Sequence, residues 1–200
     1  ARLEDAVAIP ALAIGCASEH LDFAGTLHVE PETLEATLRD VLRSLVHHGF
    51  ERAFLFTAHG GNLDALAGMR ARLTEAVRPL ELRVETDQRV GAMQSEIVER
   101  AALSAKSAGP HAGEYETSLV AHLRPGTIRT GALEPGRIVA PGESQGLFYP
   151  SLRPNAETGV LGDPSRAAAE RGETYLDAWV DLLAVAYRGA FDGDTEKNRQ

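Results

Sequence analysis

Residues 52–62 read RAFLFTAHGGN, a short apolar run that stops at a histidine and passes through two glycines to an asparagine. The run over 52–57 predicts a strand. Asn62 suits the start of a helix, because Leu63, Leu66, Met69 and Leu73 then keep helical spacing. A strand that ends on an imidazole sets that group at the carboxyl edge of a sheet, which is where ligands bind in open α/β folds.

The pattern extends outward on both sides. Upstream, Glu30 and Pro31 open a helix with Leu34, Leu38, Val41, Leu42 and Leu45 as its apolar stripe, and Gly49 ends it. Residues 6–15 (AVAIPALAIG) are apolar on both parities, which predicts a helix end followed by a strand buried on both faces. Residues 18–26 (SEHLDFAGT) form a polar loop at that strand's exit, so that strand, helix and RAFLFT make a βαβ unit. Downstream, residues 80–86 (LELRVET) alternate like a third strand and 89–104 read as a further helix. This alternation predicts an α/β fold of three layers, a mostly parallel sheet with helices on both faces. Over 124–162 prolines and glycines dissolve the pattern into a long loop, of the kind that serves function or a subunit contact. Asp163 and Pro164 then cap a last helix with Leu176, Trp179, Leu182, Leu183 and Ala186 on one side.

Two hundred residues of ordinary composition fit a single domain. A net charge of -9 without any Lys/Arg cluster excludes a nucleic-acid or anionic-membrane surface, and leaves a small-molecule substrate or a protein partner. The single cysteine, Cys16, cannot form an intrachain disulfide, which fits a reducing, cytoplasmic setting. No apolar stretch is long enough to span a bilayer. Residues 6–17 loosely resemble a lipoprotein signal, but Glu4 and Asp5 contradict the positive leader that such a signal needs.

The chemistry is expected at two clusters. One is His59, with Gly60 and Gly61 permitting close backbone approach. The other is residues 111–118 (HAGEYETS), where a helix starting near Ala112 would aim His111 and Glu114 at one opening and send Glu116 and Ser118 elsewhere. A turn histidine and glutamates that merely suit a helix dipole are the plain alternatives. A phosphate cradle at Gly60-Gly61 is a weaker one, lacking the glycine patterns of nucleotide sites. Ser18 with His20 and Ser118 with His111 lack a G-x-S-x-G elbow, and Cys16 lacks a basic neighbour to activate it. Imidazole and carboxylate without thiolate suit Zn²⁺ first, with Mn²⁺ or Fe²⁺ as alternatives.

The SEHLDFAGT loop, the AHGGN turn, the HAGEYETSL segment and residues 159–172 (GVLGDPSRAAAERG) resemble, in order and spacing, the creatininase (creatinine amidohydrolase) family. The resemblance runs through nearly all of the chain. It implies a metal-dependent amidohydrolase, commonly hexameric, that cleaves C–N bonds in small cyclic amides, formamides or peptides with one or two divalent ions. We therefore expect hydrolysis of a small cyclic amide or formamide, with a non-catalytic binding or assembly subunit as the alternative. By the same resemblance His59 is a metal ligand, His111 the catalytic proton shuttle and Glu116 a catalytic group that orients its neighbours, while His20 and Asn62 are assigned to substrate contact. Members closest to creatininase carry a ligand Glu two residues after the turn histidine, where this chain has Gly61, so Glu114 is expected to supply the missing carboxylate. Thr57-Ala58 replaces the usual Asn-Gly before His59. The family's N-terminal strand and E-x-H-G-x-H-L-P-x-x-x-D motif have no counterpart here, so the chain reads as one domain cut from a longer enzyme. With two ligands from its own residues, it is not expected to hold a fully competent site alone.

Overall fold

The computed structural model of the chain describes residues 6–86, 95–98, 108–139 and 146–191. Four helices and two strands position the site: α1 (Pro31–His47), β1 (Arg52–Leu55), α2 (Leu63–Ala76), β2 (Glu81–Val84), α3 (Glu114–Leu123) and α4 (Ala169–Phe191). Pro31 at the first turn of α1 has the backbone angle that a helix start requires. At the other end Gly49 takes φ +80°, and the amides of Gly49 and Phe50 return to the carbonyls of Val46 and Leu45 at 3.0 and 3.1 Å. That pair of bonds is a Schellman stop, and it turns the chain directly into β1.

β1 and β2 run parallel, with Arg52 opposite Glu81 and Leu55 opposite Val84, and α2 makes the crossover between them. The α/β fold expected from the alternating pattern is therefore present. Leu34, Leu38 and Leu42 of α1 meet Leu66, Met69 and Leu73 of α2 over Leu80 and Leu82, and this buried cluster carries the strand pair. A second cluster joins Tyr115 of α3 to Tyr175, Ala178, Trp179 and Leu182 of α4, with Ile97 and Val98. A third gathers Val139, Leu152, Ala156 and Leu161 from the long loop around Phe23, Leu147 and Phe148.

Two expectations are corrected. Residues 6–15 form no strand: Pro10 removes one ladder donor, and Val7, Ile9, Leu12 and Ile14 are exposed rather than buried. The crossover unit is thus β1–α2–β2, and α1 packs beside it with no strand before it among the described residues. Asp163 does not cap the last helix directly; it accepts from Ser165 N at 3.1 Å to open a short 3₁₀ turn, Pro164–Arg166, and α4 starts at Ala169. The helix expected over 89–104 is observed at 95–98, and its other residues lie outside the described ones. Among the described residues no helix is long and apolar enough to cross a membrane.

α3 and α4 approach so closely that a side-chain carbon at Gly172 would collide with the Ser118 carbonyl and sit 2.8 Å from His122 Cβ. Backbone cannot yield as a flexible side-chain tip does. Gly172→Ala should therefore separate the two helices and destabilise the protein by about 1–3 kcal/mol, which urea denaturation at matched m-values will measure.

Candidate metal-binding active site

Three segments converge beyond the carboxyl end of β1. The first is the turn after the strand, organised by Thr57, whose buried hydroxyl donates to the His59 carbonyl at 3.2 Å and accepts from His59 N at 3.1 Å and Asn62 Nδ2 at 3.0 Å. One donor and two acceptor positions are all used, so the replacement of Asn-Gly by Thr-Ala carries a structural role of its own. The second is the SEHLDF loop, which winds a 3₁₀ turn over Ser18–His20. The two are clamped together: Asn62 Oδ1 accepts from Cys16 N at 2.8 Å, and His59 Nε2 lies 2.9 Å from the Cys16 carbonyl. The third is the start of α3, fixed by a two-bond bridge between His111 and Leu161 of the long loop.

Among the described residues Glu19, His20 and His59 form a group whose ligand atoms all lie within 4.8 Å of one another. Glu19 Oε1 stands 3.4 Å from His20 Nε2 and 3.4 Å from His59 Nε2, and Glu19 is only 3% exposed. Donors at about 2.0–2.2 Å from a tetrahedral cation are about 3.3–3.6 Å apart, so two edges of such a polyhedron are already at the right length. A buried carboxylate facing two imidazoles suits a divalent ion well, and two nitrogens plus one carboxylate oxygen is a recurrent set in catalytic zinc sites. Ligation through His59 Nε2 would exchange its contact with the Cys16 carbonyl for the cation, in the tautomer that carries the ring proton on Nδ1.

Beside this group, the His111 ring stacks on His20 with centroids 4.6 Å apart, and Phe148 meets both rings edge-on at 5.9 and 6.2 Å. His111 Nδ1 faces Glu116 Oε2 at 3.7 Å, and that carboxylate also accepts from Ala112 N. Ala112 holds φ +51°, a left-handed conformation uncommon for alanine, and this kink lets the Glu116 side chain reach back over the helix start. Burial first, and then the neighbouring imidazoles, lower the His111 and His20 pKa values from the ordinary histidine value, while Glu19 pulls the other way. Burial raises the Cys16 thiol, with Glu30, Glu19 and Glu32 adding to it, which keeps the sulfur protonated and inert.

The structure thus brings together His20, His59, His111 and Glu116. Glu114 is elsewhere. Its fully buried carboxylate accepts from Ser118 Oγ at 2.8 Å, Arg171 Nε at 2.7 Å and Tyr175 OH at 2.8 Å, which ties α3 to α4. The ligand role expected for it is corrected on that ground: as the first residue of α3 it points inward to α4, and Glu116 is the one that turns toward His111. Asn62 is also reassigned, since its amide joins Thr57 to Cys16, neither capping α2 nor standing free for substrate. His20, expected to touch substrate, belongs to the candidate donor group. Glu19 is the residue that sequence reasoning missed. Its signal lay in the Ser-Glu-His step, a carboxylate next to an imidazole in a polar loop. With it, the chain's own residues supply three candidate donors, against the two expected.

A parallel α/β scaffold that gathers imidazoles and carboxylates past a strand's end defines the general class. The model of the creatininase (creatinine amidohydrolase) family matches residues 1–187, and the chain belongs to that family. It is 32% identical over 186 residues to the mycofactocin precursor peptide peptidase of Mycobacterium tuberculosis, an alignment that takes in 89% of this chain and 64% of that protein. The chain therefore spans a little under two thirds of the length of this relative. Its fold matches a crystal structure of creatinine amidohydrolase (creatininase) with a TM-score of 0.65 at 22% identity, over 91% of this chain and 74% of that one. A manganese form of creatininase matches with a TM-score of 0.58 at 23% identity, over 84% of this chain and 68% of that one.

Proposed function

We propose that the protein is a metal-dependent hydrolase of an acyl C–N bond. The observation that carries the reading is the buried Glu19 carboxylate, set at equal distance from His20 and His59 beside the His111–Glu116 pair. Glu19, His20 and His59 would hold the ion. When bound, a divalent cation of this kind supplies Lewis acidity toward a carbonyl oxygen and lowers the pKa of water toward neutrality. Zn²⁺ and Mn²⁺ are the leading candidates on donor chemistry, and the manganese form among the similar structures supports the second.

The chain's own residues supply the proton chemistry. His111 is turned by Glu116 at Nδ1, which leaves Nε2 to give a proton to the departing nitrogen. A depressed pKa makes it a neutral imidazole at pH 7, ready to take a proton before giving it away. Phe148, edge-on to His20 and His111, walls the site on one side. The name of the relatives at about a third identity favours a peptide amide over the cyclic amide or formamide expected from the sequence.

The test is chelation and reconstitution of the full-length protein. Hydrolysis of peptide amides should vanish on metal removal and return with Zn²⁺ or Mn²⁺, and His59→Ala should lower bound metal per chain by elemental analysis. A metal-free wild type with undiminished activity would sink the proposal, and a protein with neither metal nor activity would favour the binding-subunit alternative.

A further inference from the structure

The two glycines of the turn are not equivalent. A side-chain carbon built at Gly60 meets nothing within 4 Å. One built at Gly61 collides with Glu19 Oε1 and stands 2.6 Å from His59 Nε2 and 2.7 Å from the Cys16 carbonyl. The φ of Gly61 lies outside the left-handed range, so its backbone conformation is open to other residues and the glycine is required for space alone. The space it leaves is filled by three polar atoms: a carboxylate oxygen, an imidazole nitrogen and a carbonyl oxygen.

These atoms belong to both halves of the clamp. The carbonyl of Glu19 accepts from Leu152 N at 3.0 Å, so the long loop holds the backbone of the SEHLDF turn from the far side. Asn62 and His59 grip Cys16 from the near side. The Glu19 side chain is then left to enter the gap over Gly61, where it meets His59.

We propose that Gly61 is a positioning residue for the metal site: the absence of its side chain admits the Glu19 carboxylate to His59, so that residues 15–20 and 57–62 bind the ion as one unit. The proposal rests on the metal-dependent reading above. It assigns the carboxylate ligand to the loop before α1, and it makes the site sensitive to a single methyl group at 61 and indifferent to one at 60.

Zn²⁺ binding to the full-length protein, titrated calorimetrically with the melting temperature of each metal-free variant recorded alongside, tests it. Displacement of partners that orient a metal ligand weakens affinity about 10–100-fold, so Gly61→Ala should raise the Zn²⁺ Kd at least about tenfold, whereas Gly60→Ala should leave it within about twofold. Glu19→Ala should weaken binding by at least as much as Gly61→Ala. The double variant should lose less than the product of the two single effects, because both act on one contact. Equal Zn²⁺ affinity in wild type and Glu19→Ala overturns the proposal even if Gly61→Ala does not fold, as does a Gly61→Ala variant that binds normally or a strictly multiplicative double variant. Wild-type protein that binds no Zn²⁺ or Mn²⁺ at all instead overturns the metal-dependent reading itself.

Discussion

Replacing His111 by alanine should slow turnover about 10²–10⁴-fold, the range over which a positioned general acid–base group contributes, while bound metal per chain stays unchanged. The separation follows from the geometry. His111 stacks on His20 and is oriented by Glu116, but the candidate ligand group is Glu19, His20 and His59. Metal content by elemental analysis and single-turnover rates on the same preparation decide the matter. Loss of metal together with activity would make His111 a ligand, and wild-type rates would remove it from the chemistry. Glu116→Gln should give a smaller loss of the same kind, since it disturbs the orientation of the ring without removing the ring.

Glu114→Ala should behave in the opposite way, unfolding the protein more readily while its metal stays in place. The substitution leaves Tyr175 OH and Ser118 Oγ without their buried acceptor and breaks the pair with Arg171. Removing one partner of a buried ion pair costs about 3–5 kcal/mol. Arg171 is more than a third exposed and can turn to water, which argues for the lower end, about 3 kcal/mol. For a chain of this size each kcal/mol shifts the melting temperature by about 2–4 °C, so a fall of roughly 6–12 °C is expected by calorimetry. Glu114→Gln keeps the shape and should recover part of it. A variant that melted normally but lost its metal would restore the ligand role that the sequence suggested for Glu114.

The contrast between these two variants shows where reading residues along the chain succeeds. Local signals were legible: Pro31 and Gly49 bracket α1, the first four residues of RAFLFT form β1, and the leucines of α1 and α2 announce the faces that meet. These depend on periodicity and capping, which short stretches of chain carry by themselves. The apolar run over 6–15 misled because hydrophobicity shows what a segment would bury, not what stands beside it. His59 and His111 stood out as candidates because each lies a few residues from a regular element, one after β1 and one before α3.

What lay beyond the sequence was which carboxylate goes where. Glu114 and Glu116 differ by two positions on one helix start, hence by about 200° around its axis, and only the packing of α4 decides which of them faces inward. Arg171 and Tyr175 draw Glu114 to the core, and the left-handed turn at Ala112 lets Glu116 reach back to His111. Glu19 lies forty residues from His59 in the chain, and nothing local to either announces the other. Their meeting needs the clamp of Asn62 on Cys16, the bond from Leu152 and the missing side chain of Gly61, each a contact between segments remote in sequence. The types of group available for catalysis were therefore set by composition and order along the chain, but the assignment of each acid to structure or to chemistry was made by tertiary packing, because a carboxylate's role follows from the neighbours that desolvate and bind it.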